Sequence, residues 1–111
     1  MAKATEKEIK EGKVCAILNY LIFIVGIIWW LADDKMKKNK FVTFHVKQVL
    51  VLIIVSIIVS FINIIPILGQ IIFLIAEIII FVLWIIGLFN AIGGKEKELP
   101  IIGKFAEKLN F

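Results

Sequence analysis

Between Gln48 and Gly94 the chain carries one charged side chain, Glu77, and from Val49 to Ile92 it is otherwise almost unbroken in its apolarity. Built as a single helix, those roughly 44 residues would reach about 66 Å, about twice the hydrocarbon thickness of a bilayer. The stretch must turn back on itself. Its only turn chemistry lies in Asn63-Ile64-Ile65-Pro66-Ile67-Leu68-Gly69-Gln70, where Pro and Gly can end one helix and start the next. This predicts spans over about 44–64 and 70–92, with Gly93-Gly94 as the stop. The many β-branched residues are poor helix formers in water. Inside lipid, however, only helices and closed barrels satisfy the backbone.

A further apolar run, Val14 to Ala32, would cover about 28 Å as one helix, which is enough to cross. Trp29 and Trp30 fall at its end beside Asp33 and Asp34, where interfacial rings are enriched. The run is longer than a signal-peptide core and lacks a small-residue cleavage site, so it is expected to stay. Gly26 leaves one alternative, a broken or re-entrant helix. The expected fold is therefore all-α and integral to the membrane. It has a polar segment 1–13, three spans (about 14–32, 44–64 and 70–92), a charged loop 33–40 and a tail 95–111. In the tail, Ile101, Ile102, Phe105 and Leu109 recur at helical spacing opposite Lys104, Glu107 and Lys108. That pattern suits a short amphipathic helix lying in the membrane plane.

Composition agrees with a lipid environment. Hydrophobic residues make up 61% of the 111, against about 45–50% in globular domains, and a small fold buries too little surface to hide the excess. All 13 basic residues are Lys and the net charge is +4. Without Arg's planar fork, nucleic acid is not an expected partner, and the lysines suit anionic headgroups. With three spans, the 33–40 loop and the C-terminus share a face carrying eight lysines, and the N-terminal segment shares the other with four. The positive-inside bias then makes the first face cytoplasmic. A re-entrant first run would instead gather every lysine cluster on one side.

Few side chains offer chemistry. On the second span, His45, Gln48, Ser56, Ser60 and Asn63 fall near one line of the helix. Such a stripe either bonds helices together or lines a polar path. Glu77, the one carboxylate deep in the apolar region, is expected to face other helices, take up a proton or find a cation. Cys15 is the single cysteine and His45 the single histidine, so neither a disulfide nor a metal centre is expected within one chain. No cofactor motif, phosphate loop or catalytic set is present. The run Phe41-Val42-Thr43-Phe44-His45-Val46-Lys47-Gln48 is expected to anchor the second helix, with Phe41 and Phe44 at the interface and Lys47 reaching for the headgroups.

That same run resembles the FVxFHAxQ signature of small helical membrane proteins of bacteria and archaea, related to the Tic-twenty chloroplast import component and to magnetosome membrane proteins; Val46 stands where the signature has Ala. Tyr20-Leu21, Gly26-Ile27-Ile28 and Leu99-Pro100-Ile101-Ile102-Gly103 agree with it, so the resemblance covers about residues 14–105. It implies a compact helical membrane fold of three or four spans. The combined expectation is a non-enzymatic subunit acting by assembly, with itself or with other membrane subunits. The alternative is a transport, channel or protein-translocation component using the His45–Asn63 stripe and Glu77.

Overall fold

The structure, a computed structural model, describes residues 4–109, which form helices and turns without strands. Helix α1 spans Glu6–Leu21, α2 Phe23–Ala32, α3 Asp34–Lys38, α4 Lys40–Ser60 and α5 Leu68–Ile92; 3₁₀ turns cover Phe61–Ile64 and Gly103–Lys108. Two helices, α4 with its 3₁₀ extension and α5, are long and apolar enough to cross a membrane, not the three expected.

The first apolar run is not one continuous helix, because it folds back. α1 opens with a reciprocal cap, Glu8 N–H donating to the Thr5 hydroxyl and Thr5 N–H to the Glu8 carboxylate. It ends at Leu21, and Ile22 leaves helical geometry (φ −135°, ψ 81°). Beyond it, Cys15 Sγ lies 3.7 Å from the Gly26 carbonyl oxygen; in a continuous helix those residues would stand about 16 Å apart. So α2 returns along α1 as a helical hairpin, with Leu21, Ile22 and Phe23 exposed at its elbow. The bend falls at Ile22, not at Gly26. Gly26 serves the packing, since a Cβ there would sit 2.5 Å from the Asn19 backbone nitrogen.

The expected 33–40 loop is built into helix ends. Asp33 caps α3 by accepting from Lys35 N–H at 2.9 Å. Asn39 caps α4, its Oδ1 accepting from Phe41 and Val42 N–H, so α4 starts at Lys40 rather than near residue 44. At the far end the chain turns through Pro66 and Ile67 (φ 63°) into α5. α5 closes on Gly94 (φ 69°), with Lys95 N–H bonding the Asn90 carbonyl and Gly94 N–H that of Ala91. This Schellman stop directs the chain back toward α4.

The polar segments converge. Asn39 Nδ2 donates to the Glu8 carbonyl (2.7 Å), Lys40 N–H to the Glu8 carboxylate (2.9 Å) and Ala4 N–H to Glu96 (2.6 Å). The N-terminal segment therefore stands at the same end as the 33–40 region and the tail, not at the opposite end. The other end, the 61–67 turn, has no charged residue.

A core of Ala16, Tyr20, Phe41, Leu52, Leu83 and Ala91 joins α1, α4 and α5, and a second of Cys15, Trp30, Met36, Val42 and Val46 joins α1 to α4 through the hairpin. Elsewhere apolar side chains point outward: 11% of the most apolar stretch of α5 is buried. In water that surface would be untenable; hydrocarbon covers it. The tail is not the expected amphipathic α-helix. Ile101 takes a positive φ of 71° and is 76% exposed, and the residues after it form the 3₁₀ turn, with Leu99 and Ala106 packed inward.

Candidate functional site

His45, one turn into α4, is fully buried, with Tyr20, Phe41 and Phe44 edge-on around its ring at centroid distances of 4.8–5.5 Å. Nε2 lies 2.9 Å from the Lys95 carbonyl oxygen and Nδ1 2.8 Å from the Tyr20 hydroxyl. A carbonyl only accepts, so Nε2 carries the hydrogen, and in that tautomer Nδ1 accepts a hydrogen bond from the Tyr20 hydroxyl. One imidazole thus ties the α1–α2 hairpin and the segment just after α5 to α4.

Tyr20 reaches His45 across Gly87, where a Cβ would strike the phenol ring. Its carbonyl, left free where α1 breaks off, accepts from Trp84 Nε1–H at 2.6 Å. One turn further along α4, Gln48 clamps the tail: Oε1 accepts from Leu99 N–H (3.0 Å) and Nε2 donates to the Gly103 carbonyl (3.2 Å). Thr43 accepts from Trp30 Nε1–H (3.0 Å) and donates to the Lys37 carbonyl (3.2 Å), holding α2 and α3 against α4.

The expected stripe is therefore not continuous. His45 and Gln48 face the hairpin and the tail, Ser56 donates to Glu77 Oε1 on α5 (2.9 Å), and exposed Ser60 bonds its own helix at the Ser56 carbonyl (2.8 Å). Asn63 is exposed in the 3₁₀ turn. Phe41 and Phe44 pack inward around His45 instead of lying among headgroups, and Lys47, expected to snorkel, is 8% exposed. Sequence reasoning missed Tyr20, Trp84 and the Lys95 carbonyl as partners. Tyr20 is the only tyrosine in the chain; its place in an apolar run was a signal beside the Tyr20-Leu21 resemblance, since a buried phenol usually has a partner.

Glu77 is half-buried and borders a groove of about 280 Å³ between the α1–α2 elbow, α4 and α5. Among the described residues no cluster of three or more His, Cys, Asp or Glu exists to hold a metal.

Residues 11–106 match the model of the magnetosome magnetite crystal formation protein family. The chain belongs to that family. The matched region contains the whole His45 hub, the Gln48 clamp and the Glu77 groove. Two curated relatives are UPF0132 membrane proteins of Methanocaldococcus jannaschii. MJ1527 is 31% identical over 100 residues, covering 88% of this chain and 66% of that protein; MJ1443 is 33% identical over 102, covering 88% and 84%. The chain thus spans slightly less than two thirds of MJ1527. No solved structure matches it. Family membership, these membrane-protein relatives and two apolar helices long enough to cross place the chain in a membrane.

Proposed function

We propose that this chain is a non-catalytic structural unit of a membrane assembly, built to associate with a second copy or with other membrane subunits. One observation carries the reading: in the Thr43–Gln48 part of the motif, Thr43, His45 and Gln48 each bond a partner on another segment of the chain. A motif engaged in this way organises the fold and presents no reactive group. The family's name concerns magnetite crystals in magnetosomes. On our reading, such a chain contributes a membrane scaffold with a lysine-rich polar end facing anionic headgroups on the cytoplasmic side. Purification in mild detergent with mass measurement, after cross-linking in native membranes, tests this. A homo-oligomer or a larger complex is expected; a lone monomer in both preparations overturns it.

A further inference from the structure

The groove beside Glu77 has a chemistry that the structural reading does not use. Its carboxylate stands about 14 Å along α5 from the uncharged turn, and among the described residues Ser56 is its one hydrogen-bond partner. A carboxylate offers about four lone-pair positions, so most of its accepting capacity is open. Asn19, behind the same groove, is fully buried against Gly26, its Nδ2 donating to the Cys15 carbonyl at 2.9 Å and its Oδ1 enclosed, out of a ligand's reach.

The donors nearby are already engaged. Ser56 O–H is on Glu77, Trp84 N–H on the Tyr20 carbonyl and Tyr20 O–H on His45. What the groove offers is acceptors and aromatic faces, with Phe81 stacked on Trp84 at 5.8 Å and Phe23 at the elbow. Carboxylate and π-faces both attract positive charge. No basic residue lines the groove among those described.

We propose that this groove binds an amphipathic organic ammonium ion, with Glu77 as counter-ion and the aromatic rings against the cation's apolar body. A metal ion is disfavoured because one carboxylate and a hydroxyl already donating to it do not replace a hydration shell. A lipid's own ammonium is disfavoured by depth, since its phosphate holds it at the surface. Phe23 and Phe81 are half exposed on the hydrocarbon side, so a lipophilic amine has lateral entry.

The test is titration of the full chain in lipid nanodiscs with benzyltriethylammonium, read by Trp emission, beside a neutral carbon analogue of the same shape. Saturable binding is expected for the cation, weakened at least tenfold in Glu77→Gln, with the neutral analogue indifferent to that change. On the unaltered protein, the ammonium should also slow adduct formation at Glu77 by dicyclohexylcarbodiimide, read by mass spectrometry; this arm holds even if the variant fails to fold. Absence of saturable binding, equal affinity of folded Glu77→Gln, equal binding of the neutral analogue, or no protection of Glu77 overturns the proposal.

Discussion

The Tyr20 hydroxyl donates to His45 Nδ1 at 2.8 Å, and through this contact the α1–α2 hairpin is tied to α4, one of the two helices long enough to cross a membrane. The same imidazole holds the Lys95 carbonyl from its other side. Tyr20→Phe should therefore lower stability by about 1–2 kcal/mol, by leaving a buried acceptor unpaired. His45→Ala orphans two partners and opens a cavity, and should lower it by about 2–4 kcal/mol. His45→Gln should recover part of that loss. Unfolding of the three variants in detergent decides; an Ala variant as stable as the parent would remove the hub from the account.

Gly87 is where the Tyr20 ring crosses α5, so Gly87→Ala should push the phenol away and destabilise by about 1–3 kcal/mol. Gly93→Ala, whose nearest new contact would be the Phe89 carbonyl oxygen at 3.3 Å, serves as the comparison and should cost less than Gly87→Ala. Equal effects of the two substitutions in thermal unfolding would contradict the packing described.

Gln48→Leu should release the tail. Both Leu99 N–H and the Gly103 carbonyl lose their partner, a loss of about 2 kcal/mol, and cleavage by trypsin at Lys104 should quicken in limited proteolysis. An unchanged cleavage rate would show that the tail is held elsewhere.

All three polar segments meet at one end, which predicts their shared topology. In a Cys15→Ala background, cysteines replacing Thr5, Lys38 and Lys104 should behave alike toward an impermeant reagent in intact cells, protected if that end is cytoplasmic. A cysteine replacing Asn63 should show the opposite behaviour. Thr5 labelling together with Asn63 would restore the full first span.

Acid should loosen the α1–α4 junction. Glu8 accepts from the N–H of Lys40 and of Thr5, which holds its carboxyl below the usual range. A group whose folded pKa is lowered contributes stability above its unfolded pKa and loses it as pH falls through the folded one. The Lys40 amide should lose protection against exchange, judged against its intrinsic rate, as pH falls below the ordinary carboxylate range. In Glu8→Gln that loss of protection with falling pH should vanish.

The α4–α5 hairpin was legible in the sequence because an apolar stretch twice the bilayer thickness has to fold, and only Asn63–Gln70 could turn it. The stop at Gly94 followed from glycine's access to positive φ, and the lysine clusters marked which segments stay at a membrane surface. The elbow was not legible: Leu21-Ile22-Phe23 contains neither Pro nor Gly. It is held by Gly26 against Asn19 and by Trp84 on the Tyr20 carbonyl, 64 residues away. His45 likewise finds partners 25 and 50 residues off, and Gln48 finds its own at 51 and 55. In water, hydrophobic periodicity says which face of a helix turns inward. In lipid both faces are apolar, so that signal fades, and sparse polar pairs between distant segments decide how the helices assemble.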